Sequence, residues 1–413
     1  MARSSPFARH WTLDPDVVFL NHGSFGACPI PVLEAQSAWR ARLEAEPVRF
    51  MVDELEPALD DARDRIAAFL GAEPDDLAFV HNATSGVNTV LRSLRFQPGD
   101  EILGADHEYN ACLNAARYVA EAAGARLVVA ALPFPVEGPE QVMERVLDAV
   151  TTRTRLALLS HITSPTAVVL PILELVRELA ARGVDVLIDG AHAPGNVPVD
   201  LRELEAAGAV YWTGNLHKWV CAPKGVAVLW VRRDRQPAIH PLTISHGAND
   251  PRTDRSRFRL EFDWQGTDDP SAALSAPVAV DFIGGLLPGG WEAVRERNHE
   301  LALAGRDALC RHLGLEPPVP DAMLGSMAAV LLDETTGTRT SRALSPLDAD
   351  PIQLALMERF GVEVPVLPWP TPWTPGFEPD MARRRLVRLS AYLYNDLADY
   401  QRLADGLAAI LAP

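Results

Sequence analysis

Lysine is almost missing from this 413-residue chain. Of its 38 basic residues only Lys218 and Lys224 are lysines; the rest are arginine. A bias that replaces lysine wherever arginine will serve leaves lysine where arginine cannot act, because arginine stays protonated and forms no imine, whereas a desolvated lysine is a nucleophile. The two survivors fall close together, which points to one site. Cysteine is scarce as well: Cys28, Cys112, Cys221 and Cys310 are scattered, with no CxxC and no Cys/His spacing. That speaks against a disulfide framework and against a zinc-ligand set. Positive charge is in deficit, 38 basic against 55 acidic residues for a formal charge of −17, and no nucleic-acid partner is expected of so acidic a chain. No apolar run reaches 18 residues. The nearest, Ser271 to Leu287, contains Pro277 and Asp281 and reads as a packed helix, so no membrane partner is expected. The opening MARSSPFARHW has basic residues but no apolar stretch behind them, so no signal peptide is visible and a soluble, cytoplasmic protein is the default.

What is present is ordinary globular composition, 48% hydrophobic and 23% charged, at a length that suggests two or three units. From about 77 to 231, short apolar runs alternate with helical spacing. LAFV (77–80), EILG (101–104), RLVVA (126–130), RLALLS (155–160), VDVLI (184–188), AVYW (209–212) and GVAVLWV (225–231) read as buried strands. TSGVNTVLRSL, ACLNAARYVAEAAG and PILELVRELAARG read as helices between them. The alternation predicts an α/β fold with a largely parallel sheet covered on both faces, whose ligands bind beyond the carboxyl ends of the strands. A pattern-poor stretch follows from about 245 to 270. Helices near 291–314, 350–360 and 396–411, with strands at 326–333, 362–366 and 385–392, then predict a smaller α+β C-terminal domain. Within it PVLPWPTPWTPGFEPD (365–380) is too rich in proline for a helix or a central strand, and reads as a stiff surface loop, a candidate lid.

Three segments carry candidate chemistry. HNATSGVN (81–88) follows a strand and opens a helix. Thr84 and Ser85 stand at the helix start, where free N–H groups and the dipole suit a phosphate, or where a Ser/Thr cap is simply usual. In VDVLIDGAHAPG (184–195), Asp189 ends an apolar strand, where a free charge is costly. A protonated pyridine nitrogen would partner it, and so would a protein cation; metal ligation with His192 lacks a third clustered ligand. In YWTGNLHKWVCAPKG (211–225), Lys218 follows a strand between His217 and Trp219, as a partly desolvated nucleophile would. Lys224, in a Pro-Lys-Gly turn, reads as a solvated lysine. A phosphate cradle, a buried carboxylate and an imine-forming lysine, in that chain order, are together the requirements for pyridoxal 5'-phosphate.

The sequence resembles the class V aminotransferase group of fold type I pyridoxal-phosphate enzymes, and within it the isopenicillin N epimerase-like proteins. The resemblance is carried by NHGSFG (21–26), NATSGVN (82–88), DHEYNA (106–111), SHITSPTA (160–167), DGAHAPG (189–195), GNLHKWVCAPKG (214–225), ISHG (244–247) and RLSAYLYN (388–395), spread over most of the chain. It implies a mostly parallel seven-stranded sheet. It also implies a segment 1–20 packing on the small domain, a large cofactor domain 21–270, and a small domain 271–413 opening on a linking helix. It implies that Lys218 holds the cofactor through an imine and that Asp189 pairs with the pyridine nitrogen. Thr84, Ser85, Asn215 and His217 would surround the phosphate, and His192 and Ser164 would contact the cofactor. Tyr109 would stack on the ring, with His107 as rival. Gly266 and Thr267 would reach the phosphate of a neighbouring subunit, making a homodimer with shared sites. Arg388 would bind a substrate α-carboxylate, for which its planar fork is suited, with Asn21 and His22 near the substrate.

These parts lead to chemistry at the Cα of an amino-acid-like substrate, with Lys218 as general base. A cysteine desulfurase would need a nucleophilic cysteine in the C-terminal domain, and no cysteine follows Cys310. Two-base epimerisation needs a second acid/base, for which Tyr109, His22 and His107 are candidates. β-Elimination of a sulfur group needs only one base and is the first expectation; epimerisation and decarboxylation-linked deamination or transamination are the alternatives. The Pro/Trp-rich loop suggests a bulky, specialised substrate. Outside this group, a metal-dependent hydrolase using Asp189, His192 and His217, or a catalytically inert pyridoxal-phosphate protein, would use the same residues differently. A nicotinamide oxidoreductase is disfavoured, since no GxGxxG opens the first βα unit.

Overall fold

The computed structural model describes residues 5–332, 348–378, 381 and 384–412. Its strands, in chain order, are β1 (Val18–Phe19), β2 (Leu77–Val80), β3 (Glu101–Ala105), β4 (Arg126–Ala130), β5 (Thr154–Ser160), β6 (Asp185–Asp189), β7 (Tyr211–Asn215), β8 (Ala227–Val231), β9 (Met327–Leu332), β10 (Val362–Glu363), β11 (Val366–Trp369) and β12 (Arg384–Ser390). Seven of them form one sheet in the order β2-β8-β7-β6-β5-β3-β4. Strands such as β3, β7 and β8 are buried at every residue, because helices cover both faces and leave no solvent side to alternate towards.

The expected seven strands all form. They form the mostly parallel sheet expected, and its antiparallel member is β8, which runs against both β7 and β2. A parallel partner for β7 would need a long crossover, usually a helix. Here the chain returns directly through Leu216–Val226, and that short return carries Lys218. Its tightness is visible at Cys221, a non-glycine residue at φ 63, which lies in the sparsely populated left-handed region. Strands β4 and β5 both flank β3, so the order reverses at β3 and a crevice opens outside the carboxyl ends there.

Helices Ile30–Ala45, Leu55–Leu70, Pro139–Asp148 and Leu201–Ala207 escaped the sequence reading. The first buries only Val32 and Gln36, so no apolar stripe marks it. The pattern-poor stretch at 245–270 holds a short helix, Arg257–Asp263, capped by Ser256. It buries Phe258, Leu260 and Phe262 and is tied by ion pairs to the helix Leu55–Leu70: Arg259, and Arg255 just before it, with Asp60, and Arg63 with Asp263. Such pairing across the chain leaves no local signature. The apolar run at 271–287 is a helix, Ser271–Gly284. Among the described residues no helix is long and apolar enough to cross a membrane.

Beyond it, the antiparallel sheet β11-β12-β9 packs with helices Gly290–Leu313, Pro351–Phe360 and Leu397–Leu411. Strand β1 pairs in parallel with β10, Val18 opposite Val362. The Pro-rich stretch is not loop throughout. Val366–Trp369 is an edge strand, where Pro368 removes no ladder bond that a central strand would need. Past it, Thr371 donates to the Asp106 carbonyl at 2.8 Å, Thr374 to the Asp106 carboxylate at 3.0 Å, and the Trp373 indole to Asn110 at 2.8 Å. The segment is thereby tied to the turn after β3.

Candidate active site

At the carboxyl ends of the central strands lies a cavity of about 350 Å³. Ser24, Phe25, Thr84, Tyr109, Ser160, Ser164, Asp189, His192, Asn215, His217, Lys218 and Lys224 all line it. Both lysines of the chain therefore face one space. Lys224 is exposed, as a turn lysine should be, but its Nζ also donates to the Gly26 carbonyl at 3.2 Å.

Lys218 sits three residues after β7, and its backbone is clamped from a distance. The His22 ring, stacked on Tyr392 at 4.0 Å between centroids, places Nε2 3.0 Å from the Lys218 carbonyl and Nδ1 2.7 Å from the Tyr394 hydroxyl. A carbonyl only accepts, so Nε2 carries the proton and Tyr394 donates to Nδ1. Burial holds the His22 pKa down at about 3. Both nitrogens are committed, and His22 does not line the cavity. Where the sequence suggested an acid/base beside the substrate, the structure places the His22 ring against the Lys218 backbone carbonyl, behind the cavity wall. The same loop approaches closely because Gly26 has no side chain, since a Cβ there would lie 2.0 Å from the His217 carbonyl oxygen.

Lys218 Nζ lies 3.2 Å from His192 Nε2, while the Trp219 indole N–H reaches His192 Nδ1 at 3.4 Å. With Nδ1 accepting, the one proton of a neutral imidazole is on Nε2 and points at Nζ, which must then be an unprotonated amine. Burial, with the charge of Arg388 behind it and Asp189 opposing, lowers Lys218 from 10.5 to about 7, in agreement with that assignment. Burial likewise keeps His192 well below its ordinary range.

Asp189 is 2% exposed. Its carboxylate accepts from the Ala191 amide at 3.0 Å and the Cys112 thiol at 3.1 Å, and no ion pair reaches it among the described residues. Burial raises its pKa. A buried carboxylate without a counter-cation is the deficit that a pyridinium nitrogen would fill. At the other end, the helix Ala83–Ser93 starts beside Thr84, and Gly86 lets it close on β7, where a Cβ would meet Thr213 Oγ1 at 2.2 Å. Asn215 accepts from the Ala83 amide at 2.9 Å. His217 donates from Nδ1 to the Val226 carbonyl at 3.2 Å, leaving Nε2 bare. The residues present thus fit pyridoxal phosphate at both ends.

Arg388 is 4% exposed and binds the Ser164 carbonyl at 2.6 Å and Ser24 Oγ at 2.9 Å. Its Nε is buried without a partner, and burial lowers its pKa to about 10. Ser24 donates in turn to Asn21, whose amide reaches Glu363 at 3.1 Å. Asn21 therefore acts behind Ser24 and does not line the cavity. Tyr109 does line it, 46% exposed, whereas His107 is buried, hydrogen-bonded to Thr166 at 2.9 Å and packed edge-on against Trp369. Ser85 is taken up by the Asn82 cap and lines an adjacent cavity with Gly266. Thr267 is exposed; neither it nor Gly266 reaches the Lys218 cavity of its own subunit. Among the described residues no group of three His, Cys, Asp or Glu side chains is placed to hold a metal ion. Ser24, Phe25 and Ser160 were not singled out from sequence. Ser24 and Phe25 lay in a motif of which only Asn21 and His22 were noted, and Ser160 is an ordinary polar residue closing an apolar strand.

Residues 26–338 match the class V aminotransferase family. The chain belongs to that family: it is a pyridoxal 5'-phosphate enzyme on the fold type I scaffold. It is 37% identical to the isopenicillin N epimerase of Amycolatopsis lactamdurans, covering 96% of each chain. It is 33% identical to a probable chloroplastic L-cysteine desulfhydrase of Arabidopsis thaliana, over 98% of this chain and 85% of the other. In fold it is similar to the cysteine desulfurase CsdA of Escherichia coli, with a TM-score of 0.76 at 20% identity over 98% and 97% of the two chains. It is similar also to the cystine C–S lyase C-DES in complex with cysteine persulfide, with a TM-score of 0.72 at 22% identity over 95% and 97%.

Proposed function

We propose that this enzyme is a β-eliminating carbon–sulfur lyase acting on a cysteine-conjugate-like amino acid. The observation that carries the reading is a Lys218 amine held unprotonated in the cavity, ready as the one base that elimination needs. Lys218 is an amine with a pKa near 7, and His22, the histidine expected to oppose it, has both nitrogens engaged. Elimination needs one base; racemisation by two bases needs two. Bound here, pyridoxal phosphate supplies an electron-withdrawing ring that acidifies the substrate Cα–H. Arg388 holds the substrate α-carboxylate, Asp189 keeps a negative charge at the ring end, and His192 orients Nζ. Lys218 takes the Cα proton, the Cβ–S bond breaks, and sulfur leaves with the electron pair.

Persulfide transfer is not part of the proposal. All four cysteines stand outside the cavity lining, and burial pushes Cys28 up to about 12 and Cys310 up to about 11. Epimerisation is the second reading, favoured by the Tyr109 hydroxyl in the same cavity and by the similarity to an epimerase. The Trp373-bearing segment beside Asn110 suits a bulky substrate side chain. A homodimer with shared sites belongs to the same proposal. Gly266 borders a cavity that has His81 and Gly225 in common with the Lys218 cavity, and Leu242, on its wall, is exposed. Sedimentation of the holoenzyme as a monomer would remove that part.

Incubation with cysteine S-conjugates in heavy water separates the readings. Pyruvate with a free thiol supports elimination. Deuterium at Cα with inversion and no pyruvate overturns it in favour of epimerisation.

A further inference from the structure

Glu108 has no part in the reaction described above, yet it lies against the residues that do. It is 3% exposed. Its Oε2 pairs with Ser160 Oγ, and its Oε1 is buried without any hydrogen-bond partner. The groups around it are acidic or neutral: Asp106 on its own turn, Cys112 from the helix Asn110–Ala123, and Asp189 from β6. Its neighbour His107 turns away to Thr166. Lys218 acts on two of these neighbours, Asp189 and Cys112, while no cation is among the groups that set Glu108. An ionised Glu108 would be an uncompensated buried charge beside a second carboxylate. Burial, then Asp189 and Asp106, push its pKa up to about 8, outweighing the Ser160 contacts that favour the anion.

Ser160 closes β5 in register with Asp189 on β6 and lines the cavity. Residues in register on paired parallel strands share a face of the sheet. A hydroxyl has one hydrogen to give. Against a carboxylate, Ser160 would spend it on Glu108; against a carboxylic acid, it need not.

We propose that Glu108 is a positioning residue for the cofactor: as a neutral acid it donates its proton to Ser160 Oγ and so turns the Ser160 hydroxyl into a fixed donor in the cavity beside Asp189. The ring end of the cavity then carries one negative charge, on Asp189, in place of two. This inference rests on the cofactor and is indifferent to elimination or epimerisation.

The test compares wild-type, Glu108→Gln, Glu108→Ala and Ser160→Ala holoenzymes. Pyridoxal phosphate affinity and the absorption spectrum are followed against pH, with thermal melts to establish that each variant is folded. In the wild type, affinity falls and the band shifts as pH rises past about 8, where Glu108 ionises. Glutamine cannot ionise but still donates, so Glu108→Gln loses that upper transition and keeps neutral-pH affinity within about threefold, while Glu108→Ala and Ser160→Ala each weaken it by roughly tenfold. If Glu108→Gln is as impaired as Glu108→Ala, the anion is the working form and the proposal fails. It fails equally if Ser160→Ala leaves affinity and pH profile unchanged. A wild type that forms no borohydride-sensitive band overturns the cofactor assignment itself, a result distinct from either.

Discussion

The two ends of β3 carry the same side chain in opposite circumstances. Near the amino edge of the sheet, Glu101 is fully buried but is met by Arg126, by Arg153 at 2.9 Å and by Thr151. Burial alone would raise its carboxyl, yet these partners outweigh it and hold the pKa below the ordinary value. Past the carboxyl edge, Glu108 is buried to a similar degree with no cation, and rises to about 8. The same contrast holds more widely. The amino edge is finished by the chain's own arginines. The carboxyl edge leaves Asp189 without a counter-ion and Arg388 Nε without an acceptor. A chain so rich in arginine does not leave carboxylates unanswered for want of cations. A buried carboxylate and a buried guanidinium left incomplete beside one cavity, at the edge where strand order reverses, are what a ligand completes.

Substitutions at the two edges should therefore differ in kind as well as in size. The largest effect is expected at Lys218: Lys218→Ala removes the borohydride-sensitive absorption band and lowers turnover by on the order of 10³-fold or more, measured with substrate and cofactor in excess. Asp189→Asn follows, with kcat down roughly 10²-fold and cofactor binding weakened, because a preorganised charge at the ring end is lost. Arg388→Leu is expected to raise KM for α-carboxylate substrates by roughly 30-fold, with a smaller change in kcat. The same variant sharpens a pH experiment. Lys218 must be neutral to attack the cofactor aldehyde, and its pKa lies near 7 rather than 10.5. The rate of cofactor uptake by apoenzyme therefore climbs as pH rises through about 7 and then levels off. Removing the Arg388 charge, which disfavours the ammonium, moves that midpoint upward; an unmoved midpoint would break the link between the two residues.

The amino edge should respond in stability alone. Arg126 and Arg153 are more than half exposed, so their joint replacement by alanine is expected to cost about 1 kcal/mol in urea unfolding, with turnover unchanged. The sign with pH follows from a depressed carboxyl. Its contribution is present above the unfolded value of 4.5 and fades as pH falls through the lower folded value, so wild type and variant converge in acid. A loss of activity in this variant would erase the distinction between the edges.

Much of the site was legible before the fold was known, for local reasons. Asp189 ends an apolar run and Lys218 follows a strand, and the scarcity of lysine singled out the second. Their meeting in one cavity follows from parallel strands delivering their carboxyl ends to one side. His22 was expected near the substrate; its two hydrogen bonds, to residues far along the chain in either case, were not visible. Glu108 drew no assignment from the sequence, because its burial is made by Ser160 and Asp189, which arrive from distant strands.

The order of apolar runs and the kinds of side chain at their ends determined the layered sheet and the reacting lysine, since both depend on neighbours in sequence. Which way β8 runs, which histidine is free, and which carboxyl keeps its proton were decided only when distant segments met. Protonation and hydrogen-bond roles are set by the partners and the solvent exclusion that tertiary contact creates, and neither is written in any short stretch of chain.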